Sequence, residues 1–471
     1  MKLSGSYSLL KSAVLVGGLL ASAAALADSA ADESALIKRG EYTAVAADCG
    51  ACHRQTKEDG APFAGGYAID SPMGRIIASN ITPSKQYGIG NYSEQQFADA
   101  VRKGVAADGS NLYPAMPYTA YGAMSDEDIH ALYTYFMKGV KPADIPAEAK
   151  TDLSFPFNVR QIMWGWNLLY RNDKPFEKQA GASDQLNRGK YLVDVLAHCS
   201  TCHTPRNMMM AEKGDQVLAG SPLGSWYAPN ITPDKSGIGD WSQDDIVTYL
   251  KTGHLAGKAQ AAGPMGEAVE HSFQHMNDDD LQAIAAWMKQ VPAIATPSAP
   301  AATQPVKATD INQVIGGQGD QASLADSRST DGAELYSGAC ASCHGRAGEG
   351  TKDNFYPSLT HNSAVSGQTA SNLVMTIVDG IHRKSSDSDV GMPAFGQQLD
   401  NAQIASVTNY VRSHFANIDS QVTAEQVKTL RAGGDAPFIV RYVNVLMAVG
   451  GGVALLVLFA LYRLVSKRKH R

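Results

Sequence analysis

An all-α, loop-rich chain of three successive helical units, followed by one helix long enough to cross a bilayer, is the fold class this sequence predicts. Two observations carry it. The pentapeptide Cys-x-x-Cys-His occurs three times, and each copy is followed downstream by a segment with apolar residues at helical spacing. Val443 to Tyr462 is then a run of twenty residues with no charge, which matches the hydrocarbon thickness of a bilayer.

The helices after the motifs are placed by their caps and their periodicity. Ser125 caps the first, with Asp128 completing a capping box, and Ile129, Leu132, Tyr133, Phe136 and Met137 recur on one face. The second begins near Asn277 and carries Leu281, Ile284 and Met288. The third carries Ile404, Val407 and Val411. Tyr135, Trp287 and Tyr410 align on these three helices.

The first two units are duplicates. Arg39-Gly40-Glu41-Tyr42 and Arg188-Gly189-Lys190-Tyr191 precede their motifs. Asn80-Ile81-Thr82-Pro83 and Asn230-Ile231-Thr232-Pro233 each begin 31 residues after the first motif cysteine. Gly88 to Ser93 and Gly237 to Ser242 match again. The third unit is shorter and lacks the Asn-Ile-Thr-Pro insert. The boundaries read as 33–140, 182–291 and 332–417. An aromatic segment at 141–181 joins the first pair, and a Pro/Ala/Thr/Gln/Gly-rich linker at 292–331 leads to the third. Phe155 to Tyr170 is read either as packing between the first two units or as a surface for a partner or the membrane interface.

The two ends suggest export and anchoring. Residues 1–27 have the form of a signal peptide, with Lys2 and Lys11 before an apolar stretch and Ala25-Leu26-Ala27 at the cleavage point. Basic residues from Arg463 to Arg471 follow the C-terminal span. The positive-inside rule places that tail in the cytoplasm and the rest at the periplasmic face of the inner membrane. A net charge of −6 gives no reason to expect nucleic acid as a partner.

All six cysteines lie in the three motifs: Cys49, Cys52, Cys199, Cys202, Cys340 and Cys343. A thioredoxin-like thiol pair or half a zinc site could use one such motif. Three copies that consume every cysteine point to three covalently bound c-type haems. His53, His203 and His344 are then the proximal iron ligands. A methionine sixth ligand belongs in the loop before the closing helix. Met116, Met265 and Met392 lie 67, 66 and 52 residues after the first cysteine of their motifs, each beside Pro or Gly, which favours a loop over a helix. Met73, Met276 and Met375 are the rivals, with His254, His271 and His275 as further candidates in the second unit.

An opening helix, a haem motif and a closing helix with a packing aromatic form the cytochrome c pattern. The repeats with Asn-Ile-Thr-Pro, Tyr113-Pro114-Ala115-Met116-Pro117-Tyr118 and Met392-Pro393-Ala394-Phe395 resemble the three-haem cytochrome c subunit of bacterial membrane-bound periplasmic dehydrogenases. That group acts on alcohols, gluconate, 2-ketogluconate, sorbitol or fructose. Ala47-Asp48-Cys49, Gly65 to Ile69, Ala262 to Met265 and the anchor are most similar to the fructose-oxidising type. The resemblance implies a catalytic partner subunit with FAD or PQQ, and electron delivery through the haems to ubiquinone. No catalytic triad, phosphate-binding glycine loop or nucleotide fold is present, so no substrate chemistry of its own is expected. A haem peroxidase needs an iron open to substrate, which three methionine candidates oppose. A relay to a terminal oxidase is the other reading.

Overall fold

The computed structural model describes residues 31–57, 60–299, 329–385 and 389–469. The expected signal peptide and most of the 292–331 linker lie outside them.

Each unit is built on a crossing between an opening and a closing helix. The closing helices are Asp126–Thr134, Asp278–Met288 and Asn401–Ala416. Their N-caps are Ser125, Asn277 and Asp400, whose side chains accept backbone N–H groups of the first turn. The opening helices run over residues 31–46, Asp184–Tyr191 and Gly332–Ala339. At each crossing a glycine lies against the aligned aromatic. A Cβ on Gly40 would stand 2.0 Å from the Ala131 carbonyl oxygen and 2.6 Å from Cβ of Tyr135. Gly189 meets Ala283 and Trp287 in the same way, and Gly332 meets Ser406 and Tyr410. Only glycine lets the two backbones approach this closely.

The strictly all-α expectation needs correction. Short antiparallel pairs fill the connections: Ala68–Ser71 with Gly74–Ile77 and Asp152–Leu153, Ser221–Leu223 with Trp226–Ala228, His254–Leu255 with Ala259–Gln260, and Ile381–Lys384 with Asp389–Met392. These strands are two to four residues long, too short for a period-two pattern to stand out from loop.

The first two repeats share one continuous core, from Ala44 to Met288. The third unit has its own, from Leu335 to Val427. After residue 417 the chain is not a bare polar tether. The helix Ala424–Arg431 buries Val427 completely against the third unit's closing helix.

A capping box at Ser125 does not form. Its backbone N–H donates instead to the hydroxyl of Tyr191 (3.0 Å), leaving the buried Asp128 carboxylate to other partners. Asp128 accepts from Arg39 of its own repeat (2.9 Å) and from Tyr191 of the other (2.7 Å). Asp280 accepts from Arg188 of its own repeat (2.7 Å) and from Tyr42 of the other (2.7 Å). The repeats thus exchange tyrosines. Burial raises the Asp280 carboxyl, but the hydrogen bonds from Arg188 and Tyr42 outweigh it and hold the group below its ordinary value.

The third unit docks differently. Asn372 accepts from the Tyr227 backbone N–H (2.9 Å) and donates to the Tyr227 carbonyl (2.8 Å). Arg383, 2% exposed, reaches into the second repeat and donates to the Ala261 carbonyl (2.5 Å) and to Gln260 (3.2 Å).

The C-terminal helix runs Val443–Lys469. Its Val443–Arg463 part has mean hydropathy 2.4 and no burial within the protein. At 1.5 Å per residue that part is about 30 Å long, enough to cross a bilayer.

Candidate haem cavity

The three Cys-x-x-Cys-His segments border one continuous cavity of about 2370 Å³. A single drug-sized ligand occupies roughly 300–1,000 Å³, so the space suits more than one large apolar group. Every motif cysteine except Cys343 lines it, as do His53, His203, His344, Met116, Met265 and Met392. The six thiols form no disulfide. Burial pushes the Cys49, Cys52, Cys199 and Cys340 thiols up to about 12 and Cys202 to about 11. Thiols held this firmly in the neutral form are poor redox nucleophiles.

The histidines share one arrangement. Nδ1 of His53 donates to the Ser79 carbonyl (2.7 Å), that of His203 to Pro229 (2.7 Å), and that of His344 to Pro357 (3.0 Å). A committed Nδ1–H fixes the tautomer and leaves Nε2 available to a metal. Burial lowers all three imidazoles, which favours the neutral, ligating form.

The Asn-Ile-Thr-Pro insert explains where two of these carbonyls come from. Asn80 Oδ1 accepts from the backbone N–H (2.9 Å) and the hydroxyl (2.7 Å) of Thr82, while its amide donates to the Ala143 carbonyl (2.9 Å). Asn230 does the same with Thr232 and the Ile294 carbonyl. Each turn locks the residue immediately before it, Ser79 or Pro229, under its histidine. In the third unit the accepting carbonyl follows after 13 residues instead of 26.

Of the methionines expected in loops, only Met116 lies in one, in the turn closed by Met116 N–H to the Tyr113 carbonyl. Met265 lies in the first turn of the helix Gly263–His271. Pro264 is the second residue of that helix, where its missing N–H costs nothing because the first-turn N–H groups have no partner within the helix. Met392 ends a strand, opposite Ile381. Among the rivals, Met73 also borders the cavity; Met276 and Met375 are buried in the cores and do not. His254, His271 and His275 do not border it either.

Sequence reasoning passed over the residue before each of the first two motifs. Asp48 (φ 52°) and His198 (φ 38°) both take the left-handed conformation and both line the cavity. Burial pushes the Asp48 carboxyl well above its ordinary value and lowers His198 to about 4. A cross-repeat network was equally invisible. Glu267 accepts from Arg54 (3.0 Å) and Tyr67 (2.9 Å), and the Arg54 guanidinium stacks 4.2 Å from the Tyr67 ring. The only sequence signal was adjacency, since Arg54 follows His53 and Glu267 lies two residues after Met265.

Comparison with known proteins gives the chain's family. A cytochrome c family profile matches residues 186–292 and 329–415. The fructose dehydrogenase cytochrome subunit of Gluconobacter japonicus is 45% identical over 448 residues, 92% of each chain. The chain belongs to the family of dehydrogenase cytochrome c subunits. The gluconate 2-dehydrogenase cytochrome c subunit of Pantoea cypripedii is 39% identical over 88% of this chain and 94% of its own. The cytochrome c subunit of the quinone alcohol dehydrogenase of Gluconacetobacter polyoxogenes is 38% identical over 87% of each. As a cytochrome c this chain carries covalent haem c and serves electron transfer as a subunit of a dehydrogenase. The apolar cavity, the paired thiols and the oriented imidazoles fit that group. Haem supplies one-electron chemistry at its iron; the chain's residues hold it, fix the imidazoles and exclude water.

Proposed function

We propose that this chain carries three haems and relays electrons from a flavin- or PQQ-containing catalytic subunit to ubiquinone, from the periplasmic face of the inner membrane. The haems attach at Cys49 and Cys52, Cys199 and Cys202, and Cys340 and Cys343. His53 with Met116, His203 with Met265, and His344 with Met392 are the axial pairs. The domains are 33–140, 182–291 and 332–417, with a periplasmic body and a cytoplasmic basic tail. The observation that carries this reading is the threefold recurrence of one arrangement, a half-buried imidazole clamped by a backbone carbonyl beside paired thiols, around a single cavity. Adjoining sites within one low-dielectric space suit transfer from one to the next. A relative named as a quinone-linked alcohol dehydrogenase subunit supports the acceptor.

Deleting Val443 to Arg471 tests it. The truncated chain is expected to keep three haems by intact mass and to leave the membrane. In complex with its catalytic subunit it should still reduce a soluble dye, while quinone reduction falls sharply, because the anchor raises the local concentration of haem sites at the bilayer. A mass fitting fewer than three haems in matured protein, or unchanged quinone reduction, would overturn the reading.

A further inference from the structure

The helix Ile162–Tyr170 is amphipathic in the inverted sense. Its inward residue is polar: Asn167, 6% exposed, accepts from the Tyr118 hydroxyl (2.7 Å) and donates to Asn111 (3.3 Å). Its outward residues are apolar, with Trp164 70% and Leu168 73% exposed and neither bordering the haem cavity, whereas Ile162 and Leu169 line that cavity. No charged residue lies between Ile162 and Tyr170. Packing against the protein therefore does not explain the apolar face. The orientation is pinned as well, because Trp166 Nε1 donates to the Met209 carbonyl (2.9 Å) and its ring meets Tyr118 edge-on. A helix fixed with Trp164 and Leu168 outward implies an apolar medium outside.

The surface continues toward the anchor. Met208 and Met209, just beyond the second haem motif, line the cavity beside the helix. Across the cavity mouth the hairpin Ser221–Ala228 is tied to the pre-anchor segment by Ser225 Oγ donating to the Leu430 carbonyl (2.6 Å). That segment leads through exposed Phe438 and Tyr442 into the membrane helix. Trp166, Leu169, Met208, Phe438, Val443 and Leu446 all border the same cavity.

We infer that the helix Ile162–Tyr170 is a second membrane contact whose Trp164–Leu168 face enters the boundary between headgroups and acyl chains. Trp and Leu are the side chains that favour this boundary. The bilayer is favoured over a protein partner because the same helix borders, through Trp166 and Leu169, the cavity that Phe438, Val443 and Leu446 at the neck of the membrane-spanning helix also border. Two points of attachment hold the cavity at a fixed attitude to the membrane, where a single helix would leave the body free to swivel.

The inference rests on the C-terminal helix being an anchor, and the experiment separates the two. Full-length holoprotein is reconstituted in phosphatidylcholine–phosphatidylglycerol vesicles with one nitroxide label, in three variants: Leu168→Cys, Val453→Cys within the anchor, and Glu127→Cys on an exposed polar turn. Relaxation by oxygen, which concentrates in lipid, is compared with relaxation by a water-soluble nickel chelate. The labels at 168 and 453 are expected to sense oxygen several-fold more strongly than nickel, with the reverse at 127. If 453 senses lipid while 168 matches 127, the second contact does not exist. If 453 itself reads as water, the anchor fails and takes the inference with it. A label at 168 shielded from both reagents only after the catalytic subunit is added makes the face a protein interface and overturns the proposal. Leu168 packs against little, so its substitution spares the fold, and haem content checks this.

Discussion

The paired repeats and the third unit reach the same histidine geometry by different means. In the pair, a long connection with an Asn-Ile-Thr-Pro turn carries the carbonyl to the imidazole. In the third unit half that length suffices. Their contacts with neighbours differ more. The first two repeats exchange tyrosines onto each other's aspartates and share one apolar core; the third keeps its own core and is docked through Asn372 and the inserted Arg383. Histidine placement is thus a local property of each unit, whereas stability belongs to the pair jointly and to the third unit singly.

The largest test of this contrast is dissection. Residues 329–432, expressed with haem-attachment machinery, should fold as a soluble helical unit with one bound haem. Residues 183–292 alone should not, because their core continues into the first repeat. Circular dichroism and haem stain decide; a stable isolated second repeat would erase the distinction.

Asp280→Ala removes the acceptor of both an arginine and the other repeat's tyrosine, and should cost about 3 kcal/mol of paired-repeat stability. Asp128→Ala should cost a similar amount, and neither should move the unfolding of the third unit. The same carboxylate sets an acid response. Its folded value lies below its unfolded one, so its contribution is full above the ordinary carboxylate range and is lost as pH falls through the depressed folded value. Denaturant melts from pH 7 down to pH 3 should therefore weaken the wild-type pair, and the Asp280→Ala variant should show a shallower loss. Equal slopes would mean that the interface does not titrate through Asp280.

Alanine at Met116, Met265 or Met392 should each lower the potential of one haem and leave the other two, since loss of a thioether ligand disfavours ferrous iron. Redox titration with the methionine-to-iron charge-transfer band reads this directly. An unchanged band in the Met392→Ala variant would return Met392 to packing. The smallest effect is expected from Asn230→Ala, about 1–2 kcal/mol from lost turn hydrogen bonds, with a shifted spectrum of the second haem alone if the Pro229 carbonyl moves.

Much of this was legible in the sequence because haem attachment is written in contiguous residues. The motifs, the duplicated Asn-Ile-Thr-Pro segments and the three closing helices stand where the residue pattern placed them. Partners distant along the chain could not be read. Asp128 looked like half of a capping box, because nothing nearby announces that Tyr191 will take the Ser125 N–H. Pro264 beside Met265 looked like a loop, since proline both breaks helices and begins them. The Phe155–Tyr170 segment read first as packing between the two repeats and second as a surface, because an apolar run does not say which side faces out; in the structure Asn167 and Trp166 pack inward on Tyr118 and Met209 while Trp164 and Leu168 lie outside.

The reciprocal tyrosine exchange has one more consequence. A contact in which residue i of one half meets residue j of the other, and j meets i, is the isologous contact of a twofold homodimer. Here both halves lie on one polypeptide, so the pair behaves as a dimer whose protomers have been fused. A true dimer of this kind melts apart on dilution. The fused form does not, and its two halves can acquire separate sequences, as at Asp48 and His198, without losing each other.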